Sequence, residues 1–133
     1  MKYAVLLGRI FYSVIFLMAA PGHFKAATIG YAASHGVPFA EFLVPASGVI
    51  AFLGALSIIL GYKARYGAWL IVLFLVPVTL SMHNFWAVAD PVQRGMQQIM
   101  FEKNLSMLGA ALLIAHFGSG PLSLDGRGRK DRA

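Results

Sequence analysis

The sequence predicts an all-α integral membrane protein, a four-helix up-down bundle with a short interfacial segment between helices 1 and 2. Three observations carry this expectation. Hydrophobic residues make up 59% of the chain and charged ones 12%, with a mean hydropathy of +0.72, which leaves too few charges to clothe a water-facing surface. Four apolar stretches follow one another between Tyr3 and Leu124, each near the roughly 17–25 residues that a helix needs to cross hydrocarbon. Lys and Arg gather in alternate connections, the pattern of a multi-pass protein. At 133 residues the chain is one domain by size.

Tyr3–Ala20 is apolar except for Arg9. A signal peptide is the rival reading, but Arg9 would interrupt its apolar core and further spans follow, so the segment is expected to be helix 1. Residues 21–37 are less apolar and broken by Gly30 and Gly36, which predicts an outer connection with a short interfacial helix over about Phe24–Ser34. Phe42–Tyr62 carries no formal charge and forms helix 2, with Pro38 suited to its first turn and Glu41 near its positive end. Pro45 should kink that helix or mark its true start. Ser47, Ala51 and Ala55 recur every four residues as a small-residue seam for a neighbouring helix.

Gly61–Gly67 holds Lys63, Arg65, Tyr62 and Tyr66, the composition of a tight turn at a cytoplasmic interface. Helix 3 is expected from about Ala68 to Trp86. Pro77 should kink it and free the Leu73 carbonyl. Asp90-Pro91-Val92-Gln93 reads as a helix start, with Asp90 as N-cap and Gln93 placed to bond back to it. Helix 4 then runs to about Phe117, where Gly118-Ser119-Gly120-Pro121 ends it.

Four spans put both termini on one side. Lys2, Arg9, Lys63, Arg65, Arg127, Arg129, Lys130 and Arg132 fall there, against Lys25, Arg94 and Lys103 on the other, so both termini are expected in the cytoplasm. The division is a four-span domain over residues 1–126 and a basic cytoplasmic tail over 127–133, mobile and lying against anionic lipid. The net charge of +6 does not point to nucleic acid, because no basic face is interleaved with aromatics. Absence of cysteine excludes thiol redox and thiolate metal sites by this chain alone.

Polar groups concentrate in Ser81–Ser106, and polar groups at a membrane boundary are costly unless used. In this topology Lys25, His83, Asn84, Trp86, Lys103 and Asn104 fall at the outer ends of helices, with Glu41 and Glu102, and could line one shallow outward-facing pocket. Thr79, His83 and Trp86 would share one face of helix 3, and Gln97, Asn104 and Ala111 one face of helix 4. His, Lys and Asn can donate to carbonyl oxygens while Phe85, Trp86 and Phe101 give apolar walls, which suits a quinone. The plainer alternative is that these side chains snorkel to headgroup water and pair with one another. No two ligands have metal-site spacing, so no metal site is assigned. His83 and His116 lie near opposite membrane faces, which disfavours haem; His23 and His35 are read as loop residues exposed to water. Arg9 lies about two turns into helix 1 and Asp125 follows helix 4 on the same side. A structural ion pair between Arg9 and Asp125 is the preferred reading, and an anion site at Arg9 the functional alternative.

With the helices placed, the chain resembles the DoxX family of small four-helix bacterial membrane proteins over nearly its whole length. Gly8-Arg9-Ile10, Gly22-His23-Phe24-Lys25, Gly36-Val37-Pro38 and Leu60-Gly61 with Arg65 carry the likeness, then His83-Asn84-Phe85-Trp86, Phe101 with Lys103-Asn104-Leu105, and Leu122-Ser123-Leu124-Asp125. The resemblance implies an inner-membrane protein of a family whose function is largely unassigned. One branch is associated with a thiosulfate:quinone oxidoreductase subunit and others with redox or stress partners. Two departures stand out: Ala51 occupies the position where many members carry a glutamate, and Glu102 stands where an apolar residue is commoner.

The functional expectation is a non-catalytic membrane subunit in a redox or stress-related pathway, binding quinone at the outer pocket. Any redox chemistry would come from the quinone or a redox partner protein, as in a quinone-linked oxidoreductase. The alternatives are a small transporter or permease, and a scaffold or homo-oligomer presenting its outer loops to an extracytoplasmic partner.

Overall fold

The computed structural model describes residues 1–130, with side chains to residue 128, and every element among them is helical. The elements are α1 (Lys2–Ala19), a 3-10 segment (Ala20–Phe24), α2 (Ala26–Ser34), α3 (Ala40–Leu60), α4 (Ala64–Met82), a 3-10 turn (Phe85–Ala87), α5 (Pro91–Phe117) and α6 (Leu124–Lys130). Among the described residues three stretches are long and apolar enough to cross a membrane: Lys2–Phe24, Ala40–Leu60 and Ala64–Ala87. Their outward surface matches that solvent, with Phe11 72%, Met18 78% and Leu73 57% exposed. α5 is as long as these but carries Arg94, Glu102 and Lys103 in its first half.

α3 packs between α1 and α4, and α4 between α3 and α5. Small residues let them approach. Ala51 and Ala55 of the α3 seam are buried in the core with Ile58, Ala68, Ile71, Leu75, Phe16 and Ala111. A Cβ on Gly54 would stand 2.8 Å from the carbonyl oxygen of Gly67, and one on Gly67 would stand 2.9 Å from that of Gly54. α3 and α4 therefore cross backbone to backbone at a distance that only glycine permits. α5 closes back onto α1, where the Tyr12 hydroxyl donates to the Met107 carbonyl at 2.9 Å.

Several boundaries move from their expected places. α3 starts at Ala40 behind a left-handed Phe39 (φ 48°), so Pro38 precedes the helix rather than sitting in its first turn, and Pro45 lies inside it. α4 starts at Ala64 because its cap comes from a residue far along the chain, Asp125. It ends at Met82, where the chain tightens into the 3-10 turn. His83 and Trp86 therefore do not share a helical face with Thr79. On α5 the expected face holds: Asn104 and Ala111 are buried and Gln97 half-buried. The division at residue 126 falls inside α6, so the start of the basic tail is helical and continuous with Leu124. Of that tail, residues 131–133 and the side chains of Arg129 and Lys130 lie outside the described residues.

Candidate functional site

At the end of the molecule that carries Lys2 and Leu124, a polar cluster ties four segments together. Arg9 is only 4% exposed and its Nη2 donates to the Leu122 carbonyl at 2.5 Å. Asp125 does not take the guanidinium as a direct partner. Its carboxylate accepts the backbone N–H groups of Lys63 (2.8 Å) and Ala64 (3.3 Å) and the Ser119 hydroxyl (3.2 Å). A carboxylate at the positive end of α4 satisfies N–H groups that the helix itself cannot. The Asp125 N–H in turn donates to the Gly61 carbonyl at 2.8 Å. Gly61 is required here twice over: its φ is +64°, and a Cβ would collide with Arg9 Nη1 and Ser123. The expected Arg9–Asp125 bridge thus becomes two linked contacts through the 118–125 segment, which docks the end of the chain.

At the opposite end, the candidate ligand residues divide. His83 Nδ1 lies 2.8 Å from Gln97 Oε1, an acceptor, so Nδ1 carries the hydrogen. Phe85, Trp86 and Phe101 pack edge to face with centroids 5.4–5.9 Å apart, which fastens the 83–90 connection onto α5. Asp90 caps α5 by accepting the Gln93 N–H at 2.9 Å. Asn104 is buried. Lys103 is exposed with Nζ 3.3 Å from Met100 Sδ, and Glu102 accepts from Gln98 at 3.1 Å. Lys25 is exposed at the end of the first 3-10 segment. His83 reaches Gln97 and Trp86 packs on Phe101, but none of Lys25, His83, Asn84, Trp86, Lys103 and Asn104 lines the apolar cavity between α2, α3 and α4.

That cavity, about 370 Å³, sits between α2, α3 and α4 and is lined by Val37, Leu43, Val44, Ala46, Ile50, Leu73, Pro77, Val78 and Met82, with His23, Thr28, Ser47 and Ser81 as its polar side chains. Such a size and composition are those of a small-molecule site. His23 is fixed from three sides. Its Nδ1 lies 3.0 Å from the Ala19 carbonyl, its ring packs edge-on to Phe74 with centroids 5.5 Å apart, and its Cβ stands where Gly48 leaves room. A Cβ on Gly48 would come within 2.6 Å of it. His23 is therefore not a water-exposed loop residue, because α1 runs on as a 3-10 segment through Phe24 and folds the ring back against α3 and α4. Among the described residues no group of three His, Asp or Glu is placed to hold a metal.

The DoxX family profile matches residues 4–84. The chain belongs to the DoxX family. This DoxX member is 32% identical over 123 residues to the inner membrane protein YqjF of Escherichia coli, covering 91% of this chain and 88% of that one. It is 33% identical over 100 residues to the inner membrane protein YphA of the same organism, covering 75% and 71%. It is 29% identical over 77 residues to the ER-derived vesicles protein ERV29 of Saccharomyces cerevisiae, which covers 58% of this chain but 24% of the yeast protein. No solved structure matches the chain. The profile match takes in His23, Gly48 and all three helices that wall the cavity, and stops at Asn84.

Proposed function

We propose that this DoxX-family chain is an inner-membrane protein of four spans, both termini cytoplasmic, that acts as a non-catalytic subunit holding a lipid-soluble ring ligand of the quinone class. The observation that carries the reading is the apolar cavity between α2, α3 and α4, with a held histidine in its wall. Two relatives are named inner membrane proteins. α5 supports the fourth span by packing along α4 and ending, at Phe117, beside the Lys63–Tyr66 turn. Its 27 residues make about 40 Å of helix, enough to cross about 30 Å of hydrocarbon and emerge by two turns. The distribution of Lys and Arg supports the orientation.

Our reading puts the ligand in this cavity rather than among Lys25, His83, Asn84, Trp86, Lys103 and Asn104. Those side chains anchor the outer helix ends at the headgroups. Arg94, Gln98 and Glu102 stand exposed at four-residue spacing on α5, a polar face suited to a partner protein, and this favours a scaffold as the second reading. With no thiol in the chain, electron transfer belongs to the bound ligand and to that partner.

The test is saturable binding of a decyl-tailed benzoquinone, in its oxidised or its quinol form, to protein in lipid nanodiscs, compared with Ala46→Phe, which fills the cavity from one wall. Binding in the wild type and its loss in the variant is the expected result. Equal, non-saturable partition in both, matching empty nanodiscs, refutes the cavity.

A further inference from the structure

We infer that the cavity is built to receive a hydroxyl donor from its ligand, so that it selects an apolar alcohol or phenol, such as the reduced, hydroxyl-bearing form of a ring ligand, over a carbonyl acceptor of the same shape. The inference rests on the cavity reading above and adds the chemistry of its wall.

Apart from Thr28, the polar hydrogen atoms of the lining are already committed. The Ala19 carbonyl can only accept, so the hydrogen on His23 is on Nδ1 and the Nε2 of the neutral ring presents a lone pair. The Ser47 hydroxyl donates to the Val44 carbonyl at 2.7 Å and the Ser81 hydroxyl donates to the Pro77 carbonyl at 2.7 Å. Each serine oxygen keeps lone pairs and no free hydrogen. Leu73 and Pro77 both line the cavity, and proline has no N–H to give the carbonyl four residues before it, which leaves Leu73 as a further acceptor. Thr28 alone brings a hydroxyl that can turn either way.

An apolar wall makes this asymmetry count. A ligand O–H that meets one of these acceptors is satisfied, whereas a ligand carbonyl brought against them leaves two acceptors facing each other without a hydrogen, in a place where water does not compensate. The quinone class is thereby narrowed to its reduced member. Isoprenoid alcohols and diacylglycerol carry the same chemistry, and competition tells them apart.

A matched pair of probes isolates the hydroxyl: 4-octylphenol and its methyl ether, titrated against a diazirine-tailed alkylphenol that cross-links its site, with the labelled peptides mapped by mass spectrometry. The full-length protein in nanodiscs should be labelled within residues 43–50 and 73–82, and the phenol should compete roughly tenfold better than the ether, the equivalent of about 1.4 kcal/mol. His23→Phe should keep the labelling and shrink that preference; His23→Gln, whose side-chain oxygen can accept, should restore part of it. Labelling at the cavity with the two probes within about twofold of each other overturns the hydroxyl preference and leaves the cavity standing. Labelling scattered over the lipid-facing helices overturns both. Because the wild-type comparison needs no variant, a folding failure of either substitution does not remove the test. Adding a benzoquinol or a diacylglycerol as competitor then identifies the source of the hydroxyl.

Discussion

Replacing Asp125 by alanine should loosen the whole end of the molecule where the Gly61–Ala64 turn meets the 118–125 segment, because one carboxylate there serves three donors. In Asp125→Ala the Lys63 and Ala64 N–H groups, now bonded at 2.8 and 3.3 Å, lose their acceptor, and so does the Ser119 hydroxyl at 3.2 Å. Loss of a helix cap costs about 1 kcal/mol, and loss of a negative charge from the positive end of a helix adds about 0.3–1 kcal/mol. Asp125 is exposed, so water recovers part of this, and a net loss of about 1–1.5 kcal/mol is expected. For a chain of this size that lowers the melting temperature by about 4–6 °C. Asp125→Asn keeps an acceptor but not the charge and should cost about half as much. Melting in mild detergent, followed by fluorescence-detected size exclusion, reads both. An alanine variant that melts within about 1 °C of wild type, or an asparagine variant that falls as far as alanine, refutes the capping role.

Gly61→Ala forces a left-handed backbone and a clash with Arg9 and Ser123; it should cost upwards of about 2 kcal/mol and sharply reduce monodisperse yield, and a normal yield would contradict the packing. Gly48→Ala should push His23 out of place, weakening probe binding severalfold and lowering the melting temperature together, measured side by side; unchanged binding would remove His23 from the site. Single cysteines can be introduced into a chain that has none. Positions 35 and 98 should react with an impermeant maleimide from the periplasm and position 63 only after permeabilisation; the reverse pattern would invert the topology.

The long helices were legible because apolar length is a local property, and so was the Asp90 cap of α5, where donor and acceptor lie three residues apart. The start of α4 was not, since its cap arrives from 62 residues away and no window on the sequence joins Lys63 to Asp125. His23 misled for a related reason. Its neighbourhood, Gly22-His23-Phe24-Lys25, reads as a polar break, but the 3-10 continuation of α1 carries the ring into a notch left by Gly48, a residue visible beforehand only as a small one beside the α3 seam. The outer polar cluster stands out by composition, and composition does not say which side chains surround a space. Phe85, Trp86 and Phe101 pack on each other, while the cavity between α2, α3 and α4 lies among residues that look like ordinary lining. The partner that Arg9 Nη2 finds is a backbone carbonyl, which no side-chain pattern displays.

Gentle extraction of the protein from its own membranes, followed by native mass spectrometry of wild type and Ala46→Phe, puts the central claim to its most direct test. The account predicts a discrete adduct of a few hundred daltons, ring-bearing and hydroxylated on fragmentation, held by the wild type and missing from the variant. A wild type that carries only bulk phospholipid, in the same amount as the variant with the filled cavity, would contradict it.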